Sequence, residues 1–97
     1  MLNFYFMNIQ NLTTAISEHI GPARVQYINE NSFRLNNQPL KFRNNLVIGE
    51  KFAFRFRNPK DLLVSFRDSG ILPVNNDTIH HILNRYRHLE TNQKPKS

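Results

Sequence analysis

Six basic side chains stand in short stretches where apolar and polar residues take turns: Arg34, Lys41, Arg43, Arg55, Arg57 and Arg67. The pattern is plainest in Lys51-Phe-Ala-Phe-Arg-Phe-Arg57. Phe52, Phe54 and Phe56 occupy one parity there, and Ala53, Arg55 and Arg57 the other. Successive side chains of an extended chain point to opposite faces, so one face of such a strand is phenyl and the other mostly guanidinium. The rings must be buried and the cations must stay wet. Cations on a wet strand face can neutralise phosphates by Coulomb attraction and counterion release, without reading sequence. Arginine suits this because its planar fork meets a phosphate bidentately. The plainer use of the same residues is as the solvated side of an amphipathic sheet, blunting edge pairing. No acidic residue shares the cationic parity of these stretches, which favours binding. Arg85 and Arg87 near the C-terminus extend the basic set.

Other chemistries find less support. The chain has no Cys, which excludes disulfides, thiolate ligands and cysteine nucleophiles. Its three glycines, at 21, 49 and 70, build no phosphate loop. Ser17, Ser65 and the histidines form no nucleophile, base and orienter by spacing, so no enzyme is expected. His80 and His88 stand eight residues apart with Asn84 between them, and His81 lies off their axis, so spacing assembles no ligand set. Neither a metal nor another cofactor is therefore expected. They read as exposed helix residues, with His88 near the negative end of the helix dipole. Base stacking needs exposed rings. Phe52, Phe54 and Phe56 belong to the core, which leaves Phe4, Tyr5 and Phe6 as the better stacking candidates.

Ninety-seven residues make one small domain, expected over 1–90, with a polar, basic, disordered tail over 91–97. Thirteen Lys and Arg against seven Asp and Glu give a net charge of +6 and a pI near 10.2. Such a balance invites a polyanionic partner. Fourteen asparagines fit an AT-rich coding source such as a phage or other mobile element. No apolar run approaches the roughly 20 residues of a spanning helix. Met1-Leu-Asn-Phe-Tyr-Phe-Met7 lacks the basic start and long apolar run of a signal peptide, and Met7 offers a second start. The expected compartment is the cytoplasm.

The elements that position the basic residues follow from period and punctuation. Ile9, Leu12, Ile16 and Ile20 recur at helical spacing, which predicts a helix over 8–19, capped by Asn8 or Asn11 and stopped by Gly21-Pro22. From Arg24 the period becomes two, with strands expected at 24–28, 33–35, 40–43, 46–48, 51–57 and 62–67. Asn58-Pro-Lys-Asp61 reads as a hairpin turn between the last two, and Ile71-Leu-Pro-Val74 as a short edge strand. Ile79, Ile82, Leu83, Tyr86 and Leu89 predict a second helix over 78–89, capped by Asn76 or Asp77. Its outer side carries His80, Asn84, Arg87 and His88. The expected fold is α+β, a small antiparallel sheet or barrel of five to six strands with an N-terminal and a C-terminal helix.

Residues 24–74 resemble the small C-terminal β-barrel of phage-type and insertion-sequence DDE transposases and integrases. The resemblance rests on Arg24-Val25, Phe33-Arg34-Leu35-Asn36, Leu46 through Gly49-Glu50, Phe52 to Arg57, Asn58-Pro59-Lys60-Asp61-Leu62, and Val64 to Phe66. The family often has glycine at the first two turns, where this chain has Asn-Glu-Asn-Ser and Asn-Asn-Gln-Pro. There is no room for a catalytic domain, and no acidic triad. What the resemblance implies is the barrel's role in contacting nucleic acid or protein, not strand transfer.

The function expected from these residues is non-catalytic binding of nucleic acid or a host nucleoprotein complex. The site residues would be Arg34, Lys41, Arg43, Arg55, Arg57, Arg67, Arg85 and Arg87. The rival is a protein-interaction inhibitor of a host defence complex, of the anti-CRISPR type, in which the same arginines meet carboxylates. In that case Leu2-Asn-Phe-Tyr-Phe6 is an anchor or a homodimer edge.

Overall fold

The computed structural model describes residues 7–92. In chain order they form α1 (Ile9–Ile20), a single 3₁₀ turn (Pro22–Arg24), β1 (Val25–Asn29), β2 (Ser32–Leu35), β3 (Gln38–Arg43), β4 (Leu46–Ile48), β5 (Ala53–Arg55), α2 (Pro59–Asp68) and α3 (Asn76–Asn92). The five strands make one antiparallel meander in sequence order. β1 and β5 are its edges, so the sheet is open and not a closed barrel. The fold is α+β, with α1 and α3 as the terminal helices. The apolar stretch over residues 1–6, with Phe4, Tyr5, Phe6 and the expected dimer edge, lies outside the described residues, as does the tail beyond residue 92.

Asparagine supplies much of the punctuation. Asn8 caps α1, its side chain accepting from Asn11 N–H at 3.0 Å. Gly21, at φ 104°, ends the helix in a backbone region that side chains avoid. Between β1 and β2 the Asn29 carboxamide accepts from Asn31 N–H at 2.8 Å and from the Ser32 hydroxyl at 3.0 Å. Asn36 and Asn37, with φ 49° and 68°, form the two-residue turn that pairs Leu35 with Gln38. Positive φ at both central positions matches the right-handed twist of a hairpin. Strand β3 therefore begins at Gln38, two residues earlier than expected, and takes in Pro39. The missing Pro39 N–H points away from β2 at this non-hydrogen-bonded pair, towards a side that β4 does not reach. Asn44, at φ 57°, turns β3 into β4.

The clearest departure from expectation is residues 62–67, which are helix and not strand. Asn58-Pro-Lys-Asp61 is the start signal of α2. The Asn58 carboxamide accepts from Asp61 N–H at 2.8 Å, Pro59 takes the first helical position, and the Asp61 carboxylate accepts from Arg57 N–H at 2.9 Å. Proline there gives up a donor that would be unpaired anyway, and the third-position carboxylate reaches one residue past the N-cap to the Arg57 N–H, a variant of the reciprocal cap. Pro59, Leu62, Leu63 and Phe66 are buried, an i, i+3, i+4, i+7 stripe that an alternating reading of Leu62, Val64 and Phe66 conceals. Arg67 consequently leaves the sheet for the last turn of α2.

Residues 71–74 form no strand. Ile71 and Leu72 are both buried, and their N–H groups return to the Phe66 carbonyl at 3.1 and 3.2 Å, closing the end of α2. Gly70, at φ 86°, makes that reversal. Helix α3 is capped by Asn75, which accepts from Thr78 N–H at 2.9 Å, not by Asn76 or Asp77. It runs to Asn92, past the expected Leu89, and the Thr91 hydroxyl bonds the Arg87 carbonyl.

The core lies between one face of the sheet and the helices. Phe33 of β2 stacks on Phe42 of β3 at 5.6 Å and meets the Phe66 ring of α2 edge-on at 6.3 Å. Phe66 also meets Phe54 of β5 edge-on at 6.1 Å. Helix α3 packs against α1 and α2, burying Ile79, Ile82, Leu83 and Tyr86. Polar pairs on α1 and α3 run in opposite order, Asn11 with Glu90, Glu18 with Arg85 and His19 with His81, so the two helices are antiparallel.

The reciprocal cap of α2 carries a pH signature. The Arg57 N–H holds the Asp61 carboxyl below its ordinary 3.8, against the opposing effect of burial. Its contribution is complete above the unfolded value and disappears as pH falls through the lowered folded one. Asn58→Ala should cost about 1 kcal/mol by urea denaturation at pH 7. Asp61→Asn should cost about 0.5 kcal/mol, with the gap to the parent closing as pH drops below 3.8. A gap that widens in acid contradicts this cap.

Candidate functional site

The open face of the sheet is assembled row by row. Gln26, Arg34 and Pro39 lie side by side across β1, β2 and β3. Ser32, Lys41, Ile48 and Ala53 follow across β2 to β5, then Arg43, Leu46 and Arg55 across β3 to β5. The opposite parity, with Leu35, Phe33, Leu40, Phe42, Val47 and Phe54, faces the helices. Arg34, Lys41, Arg43 and Arg55 are all exposed on this surface. The strands contain no Asp or Glu. Among the described residues none of these four cations forms an ion pair.

The register explains how the sheet tolerates the charge. Like charges placed directly opposite on neighbouring strands are destabilising. Here every cation faces neutral neighbours: Arg34 has Gln26 and Pro39, Lys41 has Ser32 and Ile48, and Arg43 and Arg55 share Leu46. Arg43 and Arg55 are two strand spacings apart, roughly 9.6 Å. Strands β2 and β5 are three apart, roughly 14 Å. At a Debye length of about 10 Å in 0.1 M salt, Lys41 and Arg55 each lie within about one screening length of Arg43, while Arg34 extends the surface beyond it.

The other four predicted site residues are not brought to this face. Arg57 follows β5, with 85% of its side chain exposed, and lies 3.5 Å from the Asp61 carboxylate. Arg67 pairs with Asp68 at 3.2 Å and donates to the Asn76 carboxamide. Arg85 grips Glu18 through Nε at 2.7 Å and Nη2 at 3.2 Å, tying α3 to α1. Arg87 is exposed on α3. Three of these cations thus serve local structure. The expected place on the strand face fails for Arg67, which belongs to α2, while Arg85 and Arg87 lie on the last helix as expected. Ile48 and Leu46, which the sequence reading left without a role, separate the cations on the open face. The alternation of Leu46-Val-Ile48 is the signal for them.

The ring parity holds, with a gradient. Phe56 is 3% exposed, while Phe52 and Phe54 are half-buried against the core, as befits an edge strand. Strand β5 itself is only Ala53–Arg55. The tight link before it depends on Gly49, whose N–H donates to the Phe52 carbonyl at 2.8 Å. A Cβ at Gly49 would come within 2.8 Å of the Phe52 ring, which stacks on Phe54 at 5.5 Å.

A cleft of about 670 Å³ opens beside the start of α1, with Tyr27, Glu30, Phe42, Asn44 and Glu90 in its lining. It offers two carboxylates and no imidazole or thiol, and Glu90 is engaged by Asn11. A smaller one of about 320 Å³ lies between α2 and α3, beside Lys60 and His80. His81 stacks on His19 at 6.1 Å across the α1–α3 seam. Among the described residues no three His, Asp or Glu side chains converge as a metal ion would need. No described helix is long and apolar enough to cross a membrane.

Comparison of the chain with protein-family models, with curated proteins and with solved structures gave no match. The reading of the site rests on its geometry.

Gly49 sets where β5, and with it Arg55, sits. Gly49→Ala is expected to destabilise the protein by about 1–2 kcal/mol, because the half-buried Phe52 ring must give way. Adding Phe52→Ala should cost less in that background than in the parent, a coupling readable in a double-mutant cycle. Strict additivity contradicts the contact.

Proposed function

We propose that the open face of the sheet binds nucleic acid, free or within a nucleoprotein, without catalysing a reaction on it. The observation that carries this reading is the segregation of charge. Among the described residues Arg34, Lys41, Arg43 and Arg55 stand without an ion-pair partner on one exposed face, while Arg57, Arg67 and Arg85 are held by acids elsewhere. A surface of one sign with no internal counterion is neutralised by its ligand, and releasing the ligand's condensed cations drives the association. Such a role needs a compartment with nucleic acid, and the cytoplasm is the proposed one.

A second reading has its own observation. Ile48 is 40% exposed and lies with half-buried Leu46 between the cations. Aliphatic surface interleaved with guanidinium groups also suits an acidic protein, as in an inhibitor that covers a host defence complex.

Fluorescence anisotropy and co-purification separate the two. Under the first reading, affinity for a labelled oligonucleotide falls log-linearly with salt. Arg43→Glu with Arg55→Glu should lower it on the order of 100-fold at constant salt, with unchanged circular dichroism, while Arg87→Glu changes it little. Unaltered affinity in the double variant sinks the sheet face as the site. No binding at physiological salt, together with capture of one acidic protein, transfers the same surface to the second reading.

A further inference from the structure

We infer that the ligand of this face is duplex DNA, held by phosphates on both sides of a groove and not by its bases. The inference rests on the phosphate-binding reading and narrows it. Its first support is the fate of the rings. Proteins that hold single strands without sequence preference stack bases on exposed aromatic side chains, a contribution of about 1–3 kcal/mol per base. Here the open face has no ring among the described residues. The phenylalanines of the strands take the opposite parity, and Tyr27, although 39% exposed, pairs with Phe33 on that same inner parity and lines the cleft beside α1. A single strand on this face would keep its phosphate contacts and lose its stacking platform.

The second support is the shape of the patch. Arg43 and Arg55 flank Leu46 across β3, β4 and β5, roughly 9.6 Å apart at the backbone. Lys41 stands two residues from Arg43 on the same strand face, roughly 6.7 Å away, and Arg34 lies on β2 beyond it. Two flexible guanidinium groups splayed from this separation reach the borders of a groove about 12 Å wide, the B-form major groove. The major groove of an RNA duplex is deep and narrow, and its phosphate borders fit this spacing less well. Between the two arginines Leu46 and Ile48 face the mouth of the groove and are too short to reach a floor about 8.5 Å deep. These make no hydrogen bonds to base edges, so discrimination among sequences should be small.

The full chain is titrated against a fluorescein-labelled 16-base-pair DNA duplex of mixed sequence, one of its strands alone, and an RNA duplex of the same sequence. The expected result is duplex DNA bound about tenfold or more tighter than the single strand, and tighter than the RNA, with a second DNA sequence bound about equally. The slope of log K against log salt should be near −3.6 for about four phosphates. Arg43→Ala with Arg55→Ala should reduce it by about two units. A single strand or an RNA duplex bound as tightly as the DNA overturns this inference and leaves the phosphate-binding reading standing. If none of the three binds, that broader reading fails and this one with it.

Discussion

A phenyl ring and a guanidinium group cannot share an environment, and on β2, β3 and β5 this chain places them on alternate residues. That incompatibility requires a sheet with one covered face and one wet face, and the helices answer it. Phe66 of α2 reaches Phe33 at 6.3 Å and Phe54 at 6.1 Å, joining a strand near one edge of the sheet to the strand at the other. Phe42 links the cluster to Phe56 at 6.1 Å. Each edge-on pair contributes about 0.5–1.5 kcal/mol beyond the area it buries. With the rings fixed inward, the period of two leaves Arg34, Lys41, Arg43 and Arg55 no direction but outward. The basic face is thus a consequence of the core.

The electrostatics are arranged at two levels. Within the sheet, cations never stand directly opposite one another, and the residues between them are neutral or aliphatic. In the helical layer, Glu18, Asp61 and Asp68 each hold an arginine. These exposed pairs add little to stability individually. Their larger effect is on the distribution of charge, because they compensate Arg57, Arg67 and Arg85 and leave the four cations of the sheet face without an acidic partner among the described residues.

Much of this fold was legible in the sequence, for identifiable reasons. The helices at 9–20 and 76–92 have long apolar stripes and nearby stop or cap residues, and the strands from 25 to 48 are separated by short asparagine turns. The α2 segment was not legible by period, because Leu62, Val64 and Phe66 alternate as well as Leu62, Leu63 and Phe66 recur helically. Only the cap decides, and Asn58-Pro59 with Asp61 three residues on serves equally as a turn or as a helix start. Reading that cap as a turn moved Arg67 to the wrong layer. The split between paired and unpaired arginines was also hidden. Glu18 and Arg85 are 67 positions apart, and only the packing of α3 on α1 brings them within 2.7 Å. The asparagines had looked compositional, yet Asn8, Asn58 and Asn75 cap the three helices and Asn29, Asn36, Asn37 and Asn44 make the turns.

The central claim is that the wet face of the sheet, and not the helical layer, meets the ligand. Chemical-shift mapping by ¹H–¹⁵N NMR tests it most directly, with the full chain titrated by a short DNA duplex. The account predicts that the signals that move belong to β2 through β5, with the side-chain Nε–H of Arg43 and Arg55 among the largest shifts and α3 unperturbed. Shifts concentrated at His80, Asn84, Arg87 and His88 on α3, with the strands unmoved, would contradict it.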